Sequence, residues 1–278
     1  MRAALAAIPV ACFASRMSFS TRLAGSLTES LFSGLAGLAD LAVPPQCLMC
    51  DTLTAEPGAC CAQCWQKLRF ISEPYCAISG RPFEYDPGAG AVSPEVLAAP
   101  PPYNRARAAV IYDSASKGLV TRLKYGDRLD LAPWMAQWMV RAGRELLEPG
   151  VIVLPVPLHA TRRIGRRYNQ SAELARHVAK SCGLDCRPGL LTRSRKTRQQ
   201  VGLSASKRER NVAGAFRVPA QARGVVRGSN LLLVDDVFTS GATANAACRV
   251  LLRAGAARVD ILTFARVEPT ATEALYTA

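Results

Sequence analysis

Two groups of residues in this sequence have the types and spacing that chemistry requires. The first is Cys47-Leu-Met-Cys50, followed after ten residues by Cys61-Ala-Gln-Cys64. Paired CxxC motifs at this separation are the arrangement in which four thiolates close around one tetrahedral zinc. Four protein ligands leave no open position for a substrate, so a metal held this way is structural. Either Cys60 or Cys61 could ligate, although only Cys61 keeps the two-residue spacing to Cys64. The plainer alternative is a pair of disulfides or a set of buried thiols. Cys76, Cys182, Cys186 and Cys248 have no partner at ligand spacing and fit small core positions.

The second group is 231-LLLVDDVFTSGAT-243. Leu231 to Val234 is apolar enough for a strand buried on both faces, which places Asp235 and Asp236 at its tip. Thr239, Ser240, Gly241, Ala242 and Thr243 then supply hydroxyls, a flexible glycine and the free N–H groups of a helix start. Such a turn cradles an anion, because small side chains let a phosphate approach the backbone donors. The adjacent carboxylates can accept hydrogen bonds from sugar hydroxyls or hold a magnesium ion. Phosphate and diol together indicate a ribose 5-phosphate. The competing reading is an Asp-ended strand followed by an ordinary Thr/Ser helix cap.

These residues need a scaffold, and the periodicity supplies one. Strand patterns at 106–112, 151–155, 230–235 and 258–266 alternate with helical patterns at 115–124, 131–147, about 170–182 and 242–254. Such alternation predicts a mostly parallel sheet with helical crossovers, in which ligands bind beyond the carboxyl ends of the strands. No internal repeat is evident. Residues 82–102 are rich in Pro, Gly and Ala and have the composition of a linker. The expected organisation is a leader and amphipathic helix over 1–43, a zinc-binding segment with its linker over 44–102, and the α/β domain over 103–278.

With 278 residues, 49% of them hydrophobic, the chain can bury a core and is not a disordered polymer. The net charge of +14 is concentrated: residues 161–210 hold fourteen Lys or Arg against three acids. That block can attract a polyphosphate substrate or a nucleic acid backbone, or form a solvated basic face. No apolar run reaches the roughly eighteen residues of a membrane span, and a cytoplasmic protein is expected. The first 28 residues lack acids and carry Arg2, Arg16 and Arg22. They faintly suggest a secretory signal, or a gene start placed at Met1 instead of Met17.

The 231–243 stretch resembles the phosphoribosyl pyrophosphate (PRPP) motif of type I phosphoribosyltransferases: four apolar residues, two acids, then a Thr/Ser-Gly-x-Thr loop. Phe238 stands where a smaller aliphatic residue is usual. Other segments occur in an order similar to the ComF family of competence-related proteins. They include Val153–Leu158, Arg166-Arg-Tyr-Asn-Gln170, Leu191-Thr-Arg193, Leu203-Ser204 and Arg210-Asn-Val212. The resemblance covers about residues 44–267. It implies a type I phosphoribosyltransferase-like parallel sheet flanked by helices, joined to an N-terminal zinc-binding segment. It also implies PRPP with Mg2+ as ligand, Asp235 and Asp236 on the ribose hydroxyls, and residues 239–243 on the 5-phosphate.

Less directly, the resemblance implies Lys124 as part of the site; alone, a lysine there suits a helix C-terminus. It implies Pro155 near the pyrophosphate loop, with Arg162, Arg163, Arg166, Arg167 and Asn169 on the pyrophosphate or DNA side. Relatives often carry a second zinc knuckle, which here would begin at Cys76, continue near Ser79-Gly80 and finish around Ser93 and Val96; only Cys76 survives. This departure from the family's pattern predicts one zinc, with the second lobe held by packing of Tyr75, Phe83 and Tyr85. Residues 194–211 suit either a lid that excludes water or a nucleic acid contact. His159 borders the pyrophosphate loop, and His177 falls on a helix surface. Three functions fit: a pentosyl transferase using PRPP, a competence accessory that binds single-stranded DNA, and a regulator that senses PRPP. Only Tyr168 and Phe216 offer stacking platforms near the basic block. A glutamine-dependent amidotransferase is not expected, since no N-terminal catalytic cysteine or glutaminase domain is read in this sequence.

Overall fold

The structure, a computed structural model, describes residues 44–126, 128–158, 168–195 and 210–268. The leader, its amphipathic helix and most of the 194–211 segment lie outside the described residues.

Five parallel strands form the central sheet: β1 (Ala106–Ile111), β2 (Ile152–Pro155), β3 (Asp185–Cys186), β6 (Asn230–Phe238) and β7 (Arg258–Arg266). Their order is β1-β7-β6-β2-β3, so β6 sits at the centre with a neighbour on each side. Two short strands, β4 (Thr192–Arg193) and β5 (Phe216–Arg217), pair antiparallel beside it.

The apolar run of β6 is continuous because both faces of the strand are buried. Leu232 and Val234 pack in one core with Leu119, Leu123, Met135, Met139 and Leu174. Leu231 and Leu233 pack in a second core with Leu154, Val226, Leu251 and Ile261. The first core is covered by α3 (Ser114–Tyr125), α4 (Leu131–Ala142) and α5 (Gln170–Cys182). The second is covered by α6 (Arg223–Val226) and α7 (Ala242–Arg253). Each long helix starts or stops on a local signal. Asp113 caps α3 by accepting from the N–H groups of Ala115 and Ser116, and left-handed Gly183 ends α5.

Three elements depart from the sequence reading. The helix expected over 131–147 stops at Ala142: Gly143 breaks it, and Arg144–Leu146 form a single 3-10 turn. A Cβ at Gly143 would meet the Leu262 side chain at 2.6 Å, so a larger residue here would have to displace that leucine. Strand β6 does not end on its acids but continues to Phe238, since pairing with β7 runs on through Asp235↔Thr263 to Phe238↔Arg266. The supposed linker is folded as well: residues 94–98 form α2 (Pro94–Ala98), and the Ala77 N–H donates to Ala91 O at 2.8 Å.

Candidate functional site

The two acids of β6 meet different partners. Ser171 Oγ donates to Asp235 Oδ1 at 2.7 Å, and the N–H of Asp236 donates to the same oxygen at 2.9 Å. Lys124 Nζ lies 2.8 Å from Asp236 Oδ2. Burial first, and the neighbouring Asp236 charge second, push the Asp235 carboxyl up to about 7, against the pull of Ser171 and Lys124. One acid thus lies close to a proton exchange near neutrality, while its neighbour holds an ion pair.

Four consecutive residues brace this pair from the start of α5. Tyr168 donates its hydroxyl to Leu123 O at 2.7 Å, Asn169 Nδ2 to Val156 O at 3.1 Å, and Gln170 Nε2 to Lys124 O at 3.4 Å. Ser171 then reaches Asp235. The end of α3 that carries Lys124, the loop after β2 and the acid strand are thereby tied to one helix start. Asn169 also caps α5, its Oδ1 accepting from the Ser171 N–H at 3.2 Å.

Beyond the acids, Thr239 to Gly241 turn the chain into α7. Gly241 is left-handed at φ 73°, and a Cβ there would stand 2.9 Å from the Phe238 ring, so the tight turn requires glycine. Pro155 lies beside Val234 in register, one residue before the acids. The structure therefore gathers Asp235, Asp236, Lys124, Pro155 and Asn169 at the carboxyl ends of β2 and β6, on the strand that leads into the 239–243 turn. Arg162, Arg163, Arg166, Arg167 and His159 lie outside the described residues. Ser171 and Tyr168 were not expected as parts of the site. Their partners are 64 and 45 positions away, and no local pattern marks such a pairing.

The cysteines form a second centre. The sulfurs of Cys47, Cys50, Cys61 and Cys64 all lie within 4.8 Å of one another, with Cys50 and Cys61 at 3.7 Å. Cys61 is in the cluster and Cys60 is not; burial pushes the Cys60 thiol up to about 12. The Cys47 sulfur accepts the N–H groups of Met49 at 3.4 Å and Cys61 at 3.3 Å. The Thr52 hydroxyl and backbone draw the Cys50 thiol down to about 6. Four thiols converging at this separation, with N–H donors on sulfur, fit a tetrahedral zinc.

The same knuckle then recurs without its ligands, although the sequence shows no repeat. Cys47 N–H donates to Thr52 O, and Cys76 N–H to Arg81 O, five residues on in both cases. Asp51 N–H returns to Cys47 O and Gly80 N–H to Cys76 O; both donors are left-handed, at φ 62° and 68°. Gln46 bridges Leu53 as Tyr75 bridges Pro82. Met49 and Cys61 donate to the Cys47 sulfur, as Ser79 and Ser93 donate to the Cys76 sulfur at 3.4 and 3.3 Å. A short helix follows in each copy, α1 (Ala62–Trp65) and α2.

By this correspondence Ser79, Ser93 and Val96 take the places of Cys50, Cys61 and Cys64. One thiol, two hydroxyls and a valine do not fit zinc. The lobe is held instead by the Cys76 sulfur. Burial alone would raise that thiol, but the Ser79 and Ser93 hydrogen bonds outweigh it and bring it to about 7. Tyr75 lies under the Arg107 guanidinium at 4.5 Å. Tyr85 is 72% exposed and meets the Phe83 ring at 6.5 Å between centroids.

Parallel sheet, hydroxyl-rich turn and cysteine knuckle define a phosphoribosyltransferase-type domain carrying a zinc ribbon. Residues 168–275 match the phosphoribosyl transferase domain family, and residues 38–95 match the double zinc ribbon domain family. The chain belongs to the family of the DNA utilization protein YhgH and competence protein F. It is 35% identical to YhgH of Salmonella typhimurium over 171 residues, covering 59% of this chain and 73% of that one. It is 25% identical to competence protein F of Haemophilus influenzae over 227 residues, covering 80% and 96%. A double ribbon implies two metals; here the first lobe fits zinc and the second does not.

Proposed function

We propose that this chain binds PRPP with Mg2+ at the mouth of β6 and transfers its phosphoribosyl group. The observation that carries the reading is the adjacent acid pair at the carboxyl end of the central strand, leading directly into the left-handed glycine turn and α7. The 239–243 turn takes the 5-phosphate, and Asp235 and Asp236 take the ribose hydroxyls. In the transfer the bond from the anomeric carbon to pyrophosphate breaks, pyrophosphate leaves with the electron pair, and an acceptor lone pair forms the new bond. Magnesium would be held through carboxylate oxygens at Asp235 and Asp236 and would neutralise charge on the leaving group. Lys124, paired with Asp236, is the cation that would follow that charge. Pro155 and the arginines at 162, 163, 166 and 167 belong to the pyrophosphate side. The first lobe carries one structural zinc.

Among the described residues no helix is long and apolar enough to cross a membrane; the cytoplasmic place proposed here rests on the resemblance alone. One relative is named a DNA utilization protein, and the second reading we propose for this chain is single-stranded DNA binding. Trp65 and Phe70 are 47% and 39% exposed, with ring centroids 4.9 Å apart. Trp138 closes the group at 5.8 and 5.4 Å. Lys67 and Arg69 are exposed between the two outer rings. Aromatic faces among cations are what base stacking uses.

Calorimetry with PRPP and Mg2+ tests the first reading. Wild type is expected to bind, and Asp235→Asn/Asp236→Asn to lose at least tenfold in affinity, about 1.4 kcal/mol. Unchanged affinity in the double variant overturns the site. Single-stranded DNA as competitor, at two salt concentrations and against Trp65→Ala, tests the second: binding must weaken with salt and with loss of the ring.

A further inference from the structure

Basic residues gather at a second place, away from the 161–210 block. A hollow of about 340 Å3 opens between α6 and the end of α7, lined by Arg223, Gly224 and Arg227 on one wall and by Arg253, Ala254 and Gly255 on the other. It lies at the opposite end of α7 from the phosphate turn, a helix of 12 residues away, about 18 Å. No acid lines it. The sequence supplies none locally either: residues 210–234 and 237–259 contain neither Asp nor Glu.

The two walls are stitched backbone to backbone. Gly228 N–H donates to Gly255 O at 2.8 Å and Ala257 N–H to Ser229 O at 2.9 Å, which locks the turn after α6 to the turn after α7. Arg227 lies against Gly255, where a Cβ would stand 3.3 Å from Arg227 Cγ, so the arginine stem rests on bare backbone. A Cβ at Gly224 would meet nothing within 4 Å, and that side stays open.

Arginines near this edge of the sheet are of two kinds. Arg105 and Arg258 meet Glu148 and Asp260. Arg223, Arg227 and Arg253 are exposed, and among the described residues none of them forms an ion pair. Helix ends answer only part of that charge. A helix C-terminus carries about half a negative charge, so the ends of α6 and α7 together leave about two of the three positive charges unopposed. The last carbonyls of α7 are also taken: Val250 O accepts from Ala254 N–H, Leu251 O from Ala256 N–H and Leu252 O from Gly255 N–H.

We infer that this hollow is an anion site that takes a phosphate chain, the oligophosphate of a small molecule. Three guanidinium forks suit a group that presents several charged oxygens on adjoining phosphates. The lining has no aromatic ring and no side-chain acceptor, so nothing in it reads a base or a sugar. A free chain and a nucleoside triphosphate are therefore recognised alike. The same bareness disfavours a nucleic acid strand, whose bases would find no stacking face.

The test titrates inorganic triphosphate into the full chain by calorimetry, with pyrophosphate, phosphate, adenosine triphosphate and guanosine triphosphate beside it. Affinity should fall from triphosphate to pyrophosphate to phosphate, and the two nucleotides should bind as the inorganic chain does. Arg227→Gln and Arg253→Gln should each weaken the site by about fivefold. The triple variant Arg223→Gln/Arg227→Gln/Arg253→Gln should lose one triphosphate site per chain, a difference that separates the hollow from the 161–210 block. Arg217→Gln, which removes an exposed charge outside the hollow, should bind as wild type does. PRPP with Mg2+ should bind the triple variant unchanged, so failure of either site is read without the other. The inference is overturned if triphosphate at about 5 mM does not bind, or if the triple variant keeps the same sites and affinities. It is equally overturned if Arg217→Gln weakens binding as much as Arg227→Gln, which would mean a general charge effect. Single-stranded DNA losing more affinity than triphosphate in the triple variant would also overturn it, by making the hollow a nucleic acid face. Thermal denaturation checks that the triple variant folds; if it does not, the single variants decide.

Discussion

Asp235 and Asp236 are neighbours in sequence with opposite electrostatic circumstances. Asp236 has a lysine at 2.8 Å; Asp235 has a serine hydroxyl and is raised to about 7 by burial and by Asp236 itself. In the unfolded chain Asp235 ionises near 3.8, so between 3.8 and about 7 the unfolded chain holds fewer protons than the folded one. Stability from this group is therefore complete below 3.8 and falls as pH rises through that window. Asp235→Asn should flatten this part of the profile, raising the denaturation midpoint at pH 8 relative to wild type and leaving pH 4 nearly unchanged. Ligand binding has the opposite sign: a diol or metal needs the ionised carboxylate, so affinity should climb as pH passes about 7. Ser171→Ala removes a bond that favours the charged form and should move that climb upward by about one pH unit. A calorimetric pH series on wild type and Ser171→Ala reads both; a profile identical in the two would remove Ser171 from the site. The acids were legible in the sequence because an apolar run ended on them. Ser171 was not, because its partner is set by tertiary packing alone.

At the scale of elements, the sequence marks the sheet well and the ribbon poorly, for a physical reason. The four long strands and four long helices carry strong periodicity, because each must fill a core on at least one face. Strand β3, with only two residues, has no period to show, and neither do β4 and β5. The second lobe has almost no core. Its order comes from backbone hydrogen bonds to one sulfur and from three carbonyls docked on the sheet domain: Ala77 O takes Arg107, Ile78 O takes the Ala106 N–H, and Ser79 O takes Arg266. Such bonds leave no compositional trace, so a Pro/Gly/Ala-rich segment passes for a linker. Gly80 is the hinge of that docking: it is left-handed at φ 68°, and a Cβ would stand 2.2 Å from Ala106 O. Gly80→Ala combines a forbidden backbone with a backbone clash and should cost about 2 kcal/mol or more. Urea denaturation measures the loss, and limited proteolysis should show new cleavage between residues 69 and 103. If the variant is as stable and as resistant as wild type, the lobe is not docked as described.

At the scale of the whole molecule, the two lobes grip the transferase domain at different places, and the zinc lobe grips the helix that carries Lys124. Asp51 sits in the knuckle itself, left-handed, and receives Arg122 through both carboxylate oxygens at 2.6 and 2.8 Å. Arg122 is two residues before Lys124, and Arg128 reaches the same Asp51 from beyond the helix end at 3.5 Å. The knuckle keeps its turn only while its cysteines are tied together, since a lobe this small cannot hold itself by apolar burial. Loss of zinc should then release Asp51 and loosen the end of α3, although no ligand-binding residue has been touched. Chelation is expected to remove one zinc per chain and to weaken PRPP binding by about fivefold, the scale of a partly exposed bidentate ion pair near 1 kcal/mol. Arg122→Met has already lost the clamp, so its affinity should start about as low and respond little to the chelator. Equal chelator responses in wild type and Arg122→Met would route the coupling elsewhere. No response in wild type would make the zinc lobe a staple for its own residues only. The expected pattern makes the metal a remote support of the lysine that faces Asp236.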